Sequence, residues 1–129
     1  MQERIEERQA ALDAVARLDS LNAAPPSTLA GIAGWRPLRT GIGLDEGEVF
    51  FGNIGSVDRL DFTVVGPAVN EASRIASMCR SVDRPVLVSS ALAEALPPTE
   101  RARLVSVGRF ALRGVGRAQE LFTIDPALL

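Results

Sequence analysis

Asn70 and Arg74 are the residues of this sequence best suited to chemistry on a phosphate ester. They stand four apart in the run Val69-Asn70-Glu71-Ala72-Ser73-Arg74, and on a helix two side chains at that spacing project from one face. A guanidinium can grip phosphate oxygens with a planar pair of N–H donors, and a neighbouring carboxamide can orient a hydroxyl. Ala72 and Ser73 between them are small, which leaves room for a ligand to approach. The bland alternative is a solvated polar pair, commonplace on helix surfaces.

Composition removes most other chemistries. The 129 residues contain no His and no Tyr, and all 14 basic residues are Arg. Without His there is no Ser–His or Cys–His nucleophile pair and no His-ligated metal. Without Lys there is no Walker-type phosphate loop and no Schiff base. The one cysteine, Cys79, excludes an internal disulfide and a Cys-rich metal site. Gly41, Gly43 and Gly47 are spaced one residue too long for a dinucleotide fingerprint, and a turn and strand are expected after them instead of a helix. They read as residues that permit tight geometry and close backbone approach. A net charge of −2 argues against nonspecific nucleic-acid binding. No apolar run is long enough for a membrane span, and the charged N-terminus is unlike a signal peptide. A soluble, reducing, cytoplasmic setting is the expectation.

The elements that must position the Asn/Arg pair are legible in outline. Residues 3–21 predict an amphipathic helix with Ile5, Leu12, Val15 and Ala16 on one face, followed by a Pro/Gly-rich break over 22–37. Residues 38–44 alternate as a strand, Asp45-Glu46-Gly47 reads as a turn, and Glu48-Val49-Phe50-Phe51 as the returning strand of a hairpin. A strand over 61–65 stops at Gly66, and Pro67 suits the first turn of a helix running to about Cys79. A short apolar strand over 85–88 precedes a helix over 91–96, capped by Ser89-Ser90 and stopped by Pro97-Pro98. Strands are expected near 104–107, 110–112 and 120–124, with Arg113-Gly114-Val115-Gly116 as a tight turn. Alternating strands and helices indicate a mixed α/β sheet domain.

The run Leu38-Arg39-Thr40-Gly41-Ile42-Gly43-Leu44-Asp45-Glu46-Gly47-Glu48-Val49-Phe50-Phe51-Gly52-Asn53-Ile54-Gly55-Ser56, then Asp58-Arg59-Leu60-Asp61-Phe62-Thr63-Val64-Val65-Gly66 and the Asn70/Arg74 segment, resembles the catalytic domain of class III nucleotidyl (adenylate/guanylate) cyclases. Val86-Leu87-Val88-Ser89 and Phe110-Ala111-Leu112-Arg113-Gly114-Val115 resemble that family's closing segments. The likeness spans residues 38–124, and it implies that 1–129 is the C-terminal portion of one cyclase domain. The implied fold is α+β, a ferredoxin-like mixed sheet with helices on one side, lacking its leading strands. The loss of those strands would leave the 38–44 strand with an open edge and favour self-association or a second chain.

The resemblance implies conversion of ATP to cyclic AMP and pyrophosphate at the interface of a homodimer, or with a second cyclase half. Asn70 would orient the ribose and Arg74 would stabilise the transition state at the α-phosphate. Arg113 falls where the family has a basic residue for the terminal phosphates, and Arg39 matches an Arg that contacts the polyphosphate from the other protomer. Thr63 stands at the base-reading position and favours adenine, since its hydroxyl can accept from an amino group. The family uses two Mg or Mn ions, but its two metal-binding Asp residues and its base-reading Lys are implied to lie upstream of Met1. Asp45, Glu46, Glu48, Asp58 and Asp61 match turn and strand positions and read as solvated carboxylates. Pro67 and Glu71 depart from the family pattern, Glu71 standing where an aliphatic residue is usual. The isolated chain is therefore expected to be inactive, and the alternative is a non-catalytic cyclase-like dimerisation or regulatory module.

Overall fold

A computed structural model describes residues 2–54 and 61–125. The chain opens with α1 (Gln2–Ala23) and a short α2 (Ser27–Ala30), then β1 (Ile42–Leu44), β2 (Phe50–Ile54) and β3 (Asp61–Val65). There follow α3 (Pro67–Val82), β4 (Val86–Val88), α4 (Ser90–Ala95), α5 (Pro98–Arg101), β5 (Leu104–Phe110) and β6 (Gln119–Ile124). Four strands form one sheet in the order β1-β4-β6-β5, while β2 and β3 form a separate two-stranded ribbon.

The mixed α/β class is the observed one, but the helices do not lie on one side. Val86-Leu87-Val88 is buried on both faces, which is why it reads as a continuous apolar run. Val86 and Val88 pack with Ala11 and Val15 of α1 and Leu92 and Ala93 of α4. Leu87 points the other way, into a cluster with Ile75 and Cys79 of α3, Leu112 and Leu121. Strand alternation thus divides the core in two, with α1 and α4 on one face and α3 on the other.

The expected hairpin between 38–44 and 48–51 is also corrected. β1 runs parallel to β4, with Ile42 opposite Val86 and Leu44 opposite Val88. The 48–51 segment instead enters β2, whose Phe50 and Phe51 pair antiparallel with Val65 and Val64 of β3. Glycine explains the choice. A Cβ on Gly43 would lie 2.5 Å from the Ala72 carbonyl oxygen and 2.6 Å from the Ala76 nitrogen, so α3 seats its backbone directly on β1. Residues 38–41 are outside the strand; there Asn22 clamps the chain, its amide accepting from the Leu38 N–H and donating to the Leu38 carbonyl, both at 2.8 Å.

Helix α1 is rotated from the expected face. Arg8, Ala11 and Val15 are its buried residues, while Ala16 is exposed. Arg8 is 3% exposed because its guanidinium meets Glu100 of α5 at 2.6 Å, a buried charge kept by its partner. Arg4 of the same helix bonds Glu46 in the β1–β2 connection. The caps are as the sequence indicates. Ser89 accepts from the Leu92 N–H at 3.1 Å, and Pro67 opens α3 behind Gly66 at φ 144°.

Candidate functional site

Helix α3 carries the pair. Its inner face is pinned by Ile75 and Cys79, both buried, and its first turn is set by Val69 and Asn70 N–H groups donating to the Gly66 carbonyl at 3.1 and 3.3 Å. That orientation leaves Asn70 and Arg74 exposed on the outward ridge, one turn apart. Among the described residues neither side chain forms a hydrogen bond or ion pair, which leaves their polar groups available to a ligand. Cys79 is not part of the chemistry: burial pushes its thiol above the ordinary range, which keeps it inert.

Arg39 precedes β1 and lies beside the same helix. It lines a cleft of about 710 Å³ together with Thr40, Gly41, Ser73, Ser77 and Arg80. Its guanidinium meets Asp83 at 2.8 Å, but both side chains are largely exposed, 76% and 84%, so this ion pair is weak. Arg80 is a cleft residue that the family resemblance does not point to. The helical spacing of Ser73, Ser77 and Arg80 is the signal that finds it. Arg113 is exposed in the connection between β5 and β6, just before Gly114 at φ 79°. The Val115 N–H donates to the Leu112 carbonyl there at 3.0 Å, closing the expected turn. Thr63 stands on β3 opposite Gly52, on the ribbon and not on the four-stranded sheet.

Asp58 falls outside the described residues. Among the described residues no three His, Cys, Asp or Glu side chains converge to hold a metal ion. Asp45 is the notable carboxylate. Both of its oxygens are buried without a close hydrogen-bond partner. Burial pushes its carboxyl up, the Ser89 hydroxyl and the Glu46 N–H oppose this, and the Glu71 charge adds to the rise. Asp45 lines a separate pocket with Glu3, Arg4, Glu7 and Glu46. No helix among the described residues is long and apolar enough to cross a membrane.

The site is thus a two-sided mixed sheet carrying an exposed Asn/Arg ridge on α3, with Arg39 and Arg113 exposed on the connections before β1 and after β5. Comparison with known proteins gives the family. Residues 5–125 match the adenylate and guanylate cyclase catalytic domain, and the chain belongs to that family. A bacterial light-regulated adenylyl cyclase superposes with a TM-score of 0.70 at 26% identity, covering 91% of this chain and 31% of that one. A guanylyl cyclase superposes with a TM-score of 0.60 at 30% identity, covering 83% and 50%. The adenylyl cyclase CyaB from P. aeruginosa gives 0.58 at 25% identity, covering 74% and 46%. An uncharacterized protein of Mycobacterium bovis is 40% identical over 77 residues, which is 59% of this chain and 14% of that protein. An uncharacterized protein of Mycobacterium tuberculosis is 34% identical over 84 residues, 65% of this chain and 15% of its own length. The chain therefore spans about one seventh of the curated relatives it matches.

Proposed function

We propose that this chain supplies the transition-state side of an adenylyl cyclase site, in which ATP is converted to cyclic AMP and pyrophosphate. The observation that carries the reading is the exposed Asn70/Arg74 pair on α3, unpartnered among the described residues, in a chain of the cyclase family. In that reaction the ribose 3′-oxygen bonds to the α-phosphorus, its proton leaves, and the bond to the bridging oxygen breaks to release pyrophosphate. Asn70 holds the ribose so that the hydroxyl lines up with the α-phosphorus. Arg74 meets the charge that grows on the non-bridging oxygens, where a preorganised cation acts most strongly. Arg113 receives the terminal phosphates, Arg39 contacts the polyphosphate from the other protomer, and Thr63 reads the adenine amino group. In this family's chemistry two Mg or Mn ions would supply charge neutralisation and activation of the attacking hydroxyl. The described carboxylates do not fit such a pair, so their ligands belong to another segment or another chain.

Shared sites need association, and the β2–β3 ribbon favours it. Phe50 and Val65 are exposed at 55% and 43%, and their neighbours Phe51 and Val64 at 75% and 37%. Adjacent residues on a strand face opposite ways, so at the Phe50–Phe51/Val64–Val65 end the ribbon presents exposed apolar side chains on both faces. Exposed apolar surface of this kind marks an interaction site, here a second copy of the chain or a second cyclase half. The absence of converging carboxylates among the described residues favours one rival reading, a non-catalytic cyclase-like dimerisation or regulatory module.

The two readings separate in an ATP turnover assay with the chain completed by a metal-binding cyclase segment. Arg74→Ala is expected to lower kcat by about 10²- to 10³-fold, with a smaller change in KM. Turnover undiminished by Arg74→Ala and Asn70→Ala would sink the catalytic reading in favour of the module.

A further inference from the structure

Glu71 of α3 stands where the family resemblance implies an aliphatic residue, and its surroundings give it work. Its Oε1 accepts a hydrogen bond from the Gln119 side-chain amide, across 48 positions of sequence. Gln119 is the first residue of β6, and its own Oε1 accepts from the Ser90 N–H at 3.3 Å. The Ser90 hydroxyl in turn donates to the Glu120 carbonyl. One chain of bonds therefore runs from α3 through the start of β6 to the start of α4. Its two ends matter to the site. Glu71 directly follows Asn70 and precedes Arg74 by three, while Gln119 ends the connection that holds Arg113. Leu112 anchors the root of that connection against Ile75 and Cys79 of α3. Ala111, Arg113, Gly114, Gly116, Arg117 and Ala118 are all exposed, so the Gln119 bond is a second tie at its far end.

We propose that Glu71 is a positioning residue which, through Gln119, fixes the Asn70/Arg74 ridge against the Arg113 turn. The functional meaning of this rests on the cyclase reading above. An aliphatic side chain at 71 would pack but could not accept from Gln119, leaving a half-buried amide unsatisfied. A carboxylate acceptor makes the bond charge-assisted and so more ordering than a neutral one. Two arginines serving one polyphosphate need a fixed separation, because a displacement of about 1 Å is enough to lose most of the benefit.

The test has two arms. In the first, nitroxide labels on Ser77→Cys and Arg117→Cys, in a Cys79→Ser background, report the distance between ridge and turn by pulsed electron resonance. A narrow distribution is expected for Glu71 and for Glu71→Gln, which can still accept the bond. Glu71→Leu and Gln119→Leu are each expected to broaden it, and the double variant to broaden it no further. An unchanged width in Glu71→Leu overturns the positioning role. In the second arm, pyrophosphate is titrated with Mn²⁺ into the unlabelled chain completed by a metal-binding cyclase segment. Glu71→Leu is expected to weaken binding about tenfold, with Glu71→Gln restoring it. A broadened distance with unaltered affinity overturns any role for Glu71 beyond structure. If the unsubstituted chain fails to bind pyrophosphate, the cyclase reading falls while the distance arm still decides the positioning.

Discussion

At the scale of single residues, the environment of each polar group sets its part. Asn70 and Arg74 are exposed and, among the described residues, unpartnered, whereas Asp45 is half-buried with both carboxylate oxygens shielded from solvent. Asp45 carries a pH consequence whose sign follows from its raised carboxyl. A carboxyl raised in the folded state favours folding most when it is protonated, below its unfolded value of about 3.9. That contribution fades as pH climbs through the raised folded value. Asp45→Asn is therefore expected to melt higher than the unsubstituted chain at neutral pH, with the gap closing at acid pH. The gain is modest, because the side chain keeps some contact with solvent. Thermal melts across that range check it, and a gap that widens toward acid pH would contradict the assignment.

Whole elements were legible where a local signal sufficed and illegible where pairing decided. The Ser89 cap, the Gly66-Pro67 start of α3 and the turn at Arg113 each follow from one or two residues, and each is present. The Asn/Arg pair was equally readable, since helical spacing alone puts both on one ridge. The β1–β2 hairpin was not. A turn-like Asp45-Glu46-Gly47 suggests a tight reversal, but nothing local says that β1 prefers β4, more than forty residues away, as its partner. The burial of Arg8 was hidden for the same reason, because Glu100 is distant in sequence. The Glu71–Gln119 bond likewise needed the fold to become visible. Gly43 records the cost of the tight α3–β1 contact. Gly43→Ala is expected to destabilise the fold by about 3 kcal/mol, the upper end for overpacking against backbone that cannot yield. Urea denaturation measures this, and an unshifted midpoint would mean that α3 does not sit so close to β1.

The molecule as a whole is arranged for company. β1 is at one edge of the four-stranded sheet, and the β2–β3 ribbon shows apolar side chains on both faces. The lack of His and Lys fits the proposed site: phosphate can be met by arginines alone, here Arg74 on α3 with Arg39 and Arg113 on the connections before β1 and after β5. If the ribbon mediates association, Phe51→Ser with Val64→Ser is expected to lower the mass seen by light scattering without unfolding the sheet, since neither residue is in a core cluster. An unaltered mass would send the interface elsewhere. The central claim is that this chain holds the Asn/Arg half of a cyclase site and not its metal half. Cyclic AMP formation from ATP and Mn²⁺ by the purified chain, run beside Arg74→Ala, tests it most directly. No cyclic AMP is expected from either; clear production by the unsubstituted chain, abolished in Arg74→Ala, would contradict the division of the site.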